Sequence, residues 1–347
     1  MMLNKREGDI LLFLGTFGPS PTKPIIDKFF GADLADVTIR RDLRSLVESG
    51  FLERHGAGRS TSYQITTKGR VFMPLDAKEY FKAPPDARIK PTKYDFNFFS
   101  QLGFPIFTPN ELNILNASTD DYLRKQQHGS SIASKKELQR FVIELAWKSS
   151  SIEGNTYDLL ATERLLVNGI KAPGHSTEEA TMILNHKLAF DHIFTDRDQF
   201  KTLRSTNIED VHELLVQGLG VHRGVRKTLV GITGTAYRPL DNAFQIQEAL
   251  ADLCQCVNRV SNPFDKALVA LSGLAYLQAF EDGNKRTSRL IANAVLLASN
   301  LAPLSYRSVV DSDYRDAILV FYELRSLEPL KRIFIEQYQF SAEHYSI

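Results

Sequence analysis

The sequence predicts a mainly α-helical protein in two parts, a small helix-and-hairpin module followed by a helical bundle. Three observations carry that expectation. Apolar residues recur at helical spacing through most of the chain after Glu111. One stretch, Thr228–Arg238, breaks that spacing with alternating apolar residues and glycines. The first seventy-odd residues read instead as short helices ending in a glycine-punctuated hairpin.

Taken in order, Ile10–Phe17 is a short apolar helix stopped by Gly18 and Pro19. Thr22–Phe30 makes a second, with Pro24 tolerated in its first turn. In Ile39–Gly50, residues Ile39, Leu43, Leu46 and Val47 share one helical face, and Gly50 is a natural stop. Phe51–Arg54 and Ser62–Thr66, joined through Gly56 and Gly58, form the hairpin. Residues 1–75 therefore outline a winged helix-turn-helix. Residues 76–110 read as a connector, punctuated by Pro84, Pro85, Pro91, Pro105 and Pro109. Its aromatics, Tyr94, Phe96, Phe98 and Phe99, call for packing on a domain surface. Residues 111–347 form the bundle. Its helices are expected at Lys135–Ser150, Thr156–Asn168, Thr177–Thr195, Ile208–Gly218, Gln245–Val260, Asp265–Phe280, Lys285–Ser299, Ser312–Leu327 and Pro329–Gln339, with a small β-hairpin at Thr228–Arg238.

Composition narrows the function classes. Among 347 residues, 43% are hydrophobic and 24% charged, which excludes a disordered scaffold. The net charge of +1 points to no polyanionic partner for the chain as a whole. Locally, Val37–Arg70 carries seven basic residues against three acids. Arg40, Arg41 and Arg44 on the second helix of the turn, with Arg59 at the wing tip, suit phosphate and groove contacts with DNA. A protein-docking or homodimerisation module is the competing reading. Cys254 and Cys256, two apart, are badly placed for a disulfide and too few for a metal site, which suggests a reducing compartment. No apolar run approaches a membrane span and no leader is visible, so a soluble, cytoplasmic protein is expected.

The chemistry concentrates in Leu274–Arg289. The apolar run Leu290–Ala298 that follows reads as a buried helix, yet Arg286 and Arg289 lie three apart in its first turns. Cations there oppose the helix dipole. An arriving anion would gain the free N–H groups, the dipole and both guanidiniums. Gly283 allows close backbone approach, Asn284 suits an N-cap, and Asp282 offers a carboxylate to a divalent metal bridging phosphates. The competing reading is a surface salt-bridge cluster at a helix start.

Gln278-Ala279-Phe280-Glu281-Asp282-Gly283-Asn284-Lys285-Arg286-Thr287-Ser288-Arg289 resembles the signature of the Fic family, His-x-Phe-x-Asp/Glu-Gly-Asn-x-Arg-x-x-Arg. The resemblance extends over roughly Glu111–Phe340. It implies a Fic-type helical bundle that transfers AMP from ATP to a hydroxyl of a target protein. It further implies Asp282 as the Mg²⁺ ligand, and Gly283, Asn284, Lys285, Arg286 and Arg289 as the ATP-phosphate site.

Two positions depart from the pattern. Gln278 stands where the family has its catalytic histidine, and an amide cannot act as a general base near neutral pH. Lys285 replaces a common glycine and matches the Doc-type relatives that transfer a phosphoryl group. Upstream, Ser149-Ser150-Ser151-Ile152-Glu153-Gly154 resembles the family's inhibitory motif, which implies that Ser149, Glu153 and Gly154 restrain ATP through a Glu153–Arg289 pair. The competing reading is an ordinary glycine-capped helix end. Leu229, Val230, Gly231 and Ile232 would match the flap that docks the target by strand addition. His212 and His222 read as structural histidines. Three functions follow: a self-restrained AMP transferase impaired by Gln278, a catalytically inactive nucleotide-responsive DNA-binding regulator, and a Doc-like phosphotransferase.

Overall fold

A computed structural model describes residues 3–29, 36–88, 92–128 and 131–347, without the side chains of Arg59, Asp86, His128 and Ser131. The chain divides into two compact units. The first comprises Met1–Ile106, Ile232–Tyr237 and Asp316–Leu330, and the second Phe107–Gly231, Arg238–Arg315 and Lys331–Ile347.

In the first unit, helix α1 (Lys5–Phe17) opens with a reciprocal cap between Asn4 and Glu7 and buries Ile10, Leu11 and Leu14. Gly18, at φ 86°, ends it. Strand β1 (Ser20–Pro21) precedes helices α2 (Thr22–Phe29) and α3 (Asp36–Glu48). Strands β2 (Leu52–His55) and β3 (Ser62–Ile65) complete an antiparallel sheet of order β1-β3-β2, with Leu52 opposite Ile65 and His55 opposite Ser62. The core joins Ile25, Ile39, Leu43, Leu46, Phe51, Ile65 and Met73 with Leu324 from far along the chain. Phe98 and Phe99 of the connector are buried, and Phe98 meets Phe321 edge-on at 5.6 Å. Arg88 donates to Glu323 Oε1 at 2.8 Å, and the Tyr80 hydroxyl donates to Glu323 Oε2 at 2.7 Å.

The second unit holds α4 (Pro109–His128), α5 (Ser131–Ser151), α6 (Leu159–Asn168), α7 (Thr177–Thr195), α8 (Ser205–Val216), α9 (Ala243–Arg259), α10 (Pro263–Leu277) and α11 (Asn284–Ala298). Helices α12 (Asp311–Leu324) and α13 (Glu328–His344) contribute residues to both units. The mainly helical architecture is as the sequence predicts. Helix α11 is buried from Arg286 to Ala298, and its run Leu290–Ala298 is apolar on nearly every side. Its one amide in that run, Asn293, is satisfied by Leu304 N at 2.7 Å and Leu304 O at 3.0 Å. α10 lies along it with an almost wholly buried surface.

Two elements differ from the expectation. Helix α4 is not anticipated by periodicity, since its sequence is polar on most sides and buries Leu115 and Tyr122. The hairpin expected at Thr228–Arg238 is not formed: among the described residues the strands are β1, β2 and β3. The segment keeps a turn at Thr233–Gly234 but no ladder. Gly231 and Gly234 weaken a strand, and Leu229 is 79% exposed with no apolar face to bury. Cys254 and Cys256 are buried free thiols. Among the described residues, no helix is long and apolar enough to cross a membrane.

The Arg88–Glu323 pair yields a stability prediction. Both side chains are nearly inaccessible, at 4% and 0%. Replacing Arg88 by Ala strands a buried carboxylate and is expected to destabilise the first unit by about 3–5 kcal/mol. The double variant Arg88→Met with Glu323→Leu should recover most of that loss. Hydrogen exchange of α1 measures both, and equal losses in the two variants would refute the argument.

Candidate functional site

The site is built on the turn between α10 and α11, all within the second unit. α10 ends at Gln278, whose backbone is left-handed at φ 53°, ψ 52°. That conformation costs a non-glycine residue about 1–2 kcal/mol, so the surroundings must impose it. Arg226 does much of this. It is 1% exposed, and its Nε donates to Gln278 O at 2.7 Å while its backbone N–H donates to Ala279 O at 3.0 Å. Its Nη1 donates to Thr228 O at 2.7 Å and its Nη2 to Leu240 O. The Gln278 side chain folds back, with Nε2 donating to Ala275 O at 2.6 Å.

Asn284 closes the turn rather than capping the helix. Its Oδ1 accepts from Phe280 N at 2.9 Å and its Nδ2 donates to Phe280 O at 2.8 Å. Gly283 occupies the N-cap position and supplies no side-chain cap, so the first N–H groups of α11 lack one. The sequence suggests that a ligand approaches Gly283. What approaches it is α8: a β-carbon there would lie 3.3 Å from Val216 Cγ1, and φ is 79°. His212 is structural. Its ring stacks on Phe280 at 3.7 Å and its Nε2 donates to Asp282 O at 3.0 Å. Burial pulls its pKa down to about 4, against the opposing effect of that hydrogen bond.

The two arginines of α11 diverge. Arg286 is 1% exposed; its Nη2 donates to Asp282 Oδ2 at 2.7 Å, and its Nη1 has no partner among the described residues. Burial lowers its pKa, against the opposing pull of the Asp282 and Glu153 carboxylates. Asp282 sits at the mouth with its side chain 62% exposed. Each guanidinium nitrogen of Arg289 has a partner. Its Nε donates to Ser149 Oγ at 2.9 Å, its Nη2 to Ser149 O at 2.8 Å and its Nη1 to Glu153 Oε1 at 2.9 Å. Its guanidinium also lies 5.3 Å from the Tyr314 ring centre.

Glu153 lies in the turn after α5, ended by Gly154 at φ 97°. Its Oε2 accepts from Lys285 Nζ at 2.9 Å, so one carboxylate bridges two cations. Burial would raise the Glu153 carboxyl, but Arg289 and Lys285 hold it below the ordinary range. His186 of α7 is fully buried, with no partner for either ring nitrogen among the described residues. Burial, with Arg289 and Arg286 adding to it, drives its pKa to about 3.

The structure thus brings Ser149, Glu153, Lys285, Arg286, Arg289 and Asp282 to one helix start. Leu229 and Gly231 are exposed, and Val230 and Ile232 half-buried, in a segment without strand pairing. Arg40, Arg41 and Arg44 are exposed on α3, with Arg40 paired to Asp36 at 2.8 Å. The Arg59 side chain lies outside the described residues. Arg226 and His186 are site residues that the sequence reading misses; both act through backbone or charges remote in sequence. Among the described residues, no group of three or more His, Cys, Asp or Glu could hold a metal ion. The single carboxylate of Asp282 fits Mg²⁺ completed by phosphate oxygens and water, not a protein cage.

Residues 202–296 match the sequence profile of the Fic/DOC family. The chain is 25% identical over 223 residues to "Protein adenylyltransferase fic-1" of Caenorhabditis briggsae, covering 62% of this chain and 43% of that protein. It is also 25% identical over 233 residues to its Caenorhabditis elegans namesake, covering 65% and 45%. The chain thus spans less than half the length of these relatives. Solved structures share the fold. Fic-1 of C. elegans (residues 134–508) aligns at TM-score 0.58 and 19% identity, covering 68% of this chain and 71% of that one. A Fic domain containing signaling protein from Bacteroides thetaiotaomicron aligns at 0.56 and 17%, covering 66% and 94%.

His186 makes a pH prediction with a definite sign. Its folded pKa lies below 6.5, so the unfolded chain takes up a proton on acidification that the folded chain refuses until about pH 3. Stability is therefore lost as pH falls below about 6.5, at about 1.4 kcal/mol per pH unit for this group. His186→Leu should flatten the acid limb by that slope between about pH 6 and pH 4. Denaturant titrations read by Trp147, the single tryptophan, report it. An unchanged slope would mean that the ring protonates inside the fold.

Proposed function

We propose that the second unit binds ATP at the start of α11 and is a restrained AMP transferase of the Fic type whose chemistry is limited by Gln278. The observation that carries the reading is Arg286: a buried guanidinium with an unpartnered Nη1, beside uncapped helix N–H groups and an exposed carboxylate. That set suits a phosphate group, with Asp282 turned toward a Mg²⁺ that the nucleotide brings. In this reading Glu153 is the brake, because its carboxylate holds the Arg289 valences that a phosphate would need. The relatives' names support adenylyl transfer to a protein over phosphoryl transfer. In such a transfer the target oxygen attacks the α-phosphorus, pyrophosphate leaves, and a base must take the hydroxyl proton. The Gln278 amide cannot take it, and a positioned base is worth about 10²–10⁴ in rate.

The test is calorimetric ATP titration with Mg²⁺, followed by mass analysis of the chain and of lysate proteins. Arg286→Ala should reduce ATP affinity about tenfold or more, as expected for loss of a charged hydrogen-bond partner. Gln278→His should add AMP, a gain absent from the unaltered chain. Unchanged affinity in Arg286→Ala would place the nucleotide elsewhere.

A second reading concerns the first unit. Helix α3 presents Arg40, Arg41 and Arg44 to solvent, and neither Arg41 nor Arg44 has an ion-pair partner among the described residues. With three helices and a β1-β3-β2 sheet in winged-helix order, this face suits a DNA duplex. The full chain should then bind mixed duplex fragments at low salt, with affinity falling at a log–log slope of about −0.9 per phosphate contacted. Arg41→Ala should reduce that slope by about one. Absence of binding at low salt would leave the module as a protein-docking surface.

A further inference from the structure

Lys285 and Arg289 stand one turn apart on the same face of α11 and both hold Glu153, one at each carboxylate oxygen. Arg289 is fully buried, and Lys285 and Glu153 retain 27% and 17% of their side-chain exposure. Without the carboxylate, two cations would face each other in a mostly desolvated pocket, which is strongly unfavourable. A group that replaces Glu153 must bring negative charge to both cations, as that one carboxylate does in place. A terminal phosphate near neutral pH brings about two negative charges and three acceptor oxygens, and so matches the pair of cations more fully than a carboxylate or a phosphodiester. Arg286, whose Nη1 lacks a partner, is a separate cation directed to Asp282 and not to Glu153. The pocket therefore has two anion seats. One, at Arg286, is buried with an unpartnered Nη1 among the described residues; the other, at Lys285 and Arg289, is filled from within the chain.

Resting on the nucleotide reading above, we infer that Lys285 is a specificity-determining residue with opposite effects in the two states of this second seat. While Glu153 is in place, Lys285 locks it and disfavours a nucleotide that carries a terminal phosphate. Once Glu153 is displaced, the same ammonium becomes half of the terminal-phosphate seat. The residue strengthens the brake and also strengthens the binding that follows its release.

The experiment is a double-mutant cycle on the full chain, titrating ATP and ADP into the unaltered protein, Lys285→Ala, Glu153→Gly and the double variant. Lys285→Ala by itself should raise ATP affinity about threefold, the scale of a partly exposed ion pair. In the Glu153→Gly background the same substitution should lower ATP affinity about tenfold, the scale of a charge-assisted contact to phosphate. ADP, one phosphate shorter, should respond less in both backgrounds. Lys285→Gln, which keeps the stem, should repeat both signs, and unfolding read by Trp147 verifies that each variant is folded. An effect of the same sign in both backgrounds, or none, overturns the inference while leaving an Arg286-dependent nucleotide site intact. ATP binding absent from all the variants overturns that site and this inference together.

Discussion

Two guanidinium groups shut off from water stand in the first turns of a helix that is otherwise hydrocarbon, and the second unit is organised by their neutralisation. A buried charge without a partner destabilises a fold by several kcal/mol. Arg289 is satisfied by Ser149, Glu153 and the Tyr314 ring, which ties the end of α5 to α11. Arg286 receives only Asp282 among its recorded partners, and that carboxylate is itself largely in water. Keeping these groups in register requires a rigid turn before them. The paired Asn284–Phe280 bonds, the Arg226 fork and the His212 stack provide it.

The contrast between the two arginines is itself informative. They share a helix, a residue type and a depth of burial, yet every guanidinium nitrogen of Arg289 has a partner, while Arg286 Nη1 has none among the described residues. Packing for stability alone would have satisfied both or replaced both with apolar side chains, since an incomplete buried polar cluster is less stable than either. His186 repeats the pattern on the neighbouring helix, with neither ring nitrogen partnered among the described residues.

Much of this architecture was legible in advance where hydrophobic periodicity was unambiguous. Thr177–Thr195 is bounded by a Ser176–Glu179 capping box readable from the letters, and α11 declares itself by its apolar run. The motif residues were likewise legible as a group, and Glu153 and Arg289 do meet. What resisted reading has a physical cause in each case. Arg226 bonds carbonyl oxygens, and every residue offers one, so no pattern marks its partners. Asn284 has the composition of a cap but uses its amide four residues backward. Thr228–Arg238 alternates like a strand, but alternation creates no sheet without an apolar face to cover. Helix α4 shows the converse, a long helix that little hydrophobic periodicity announces.

The first unit takes residues from nearly opposite ends of the chain. Leu324 completes its apolar core, Ser326 Oγ donates to Met73 O at 2.7 Å, and Leu327 N donates to Val71 O at 3.1 Å. A ribosome delivers the chain from the amino end at about 5–20 residues per second. Between emergence of residue 106 and residue 330, the amino-terminal module therefore waits about 10–45 seconds with its core open. During that interval Met73 and its neighbours are available to chaperones, proteases and other nascent chains, although they are made before the bundle that follows them. Translation speed across the intervening bundle thus becomes a determinant of yield for a module whose largest segment precedes that bundle and whose core is closed by residues that follow most of it.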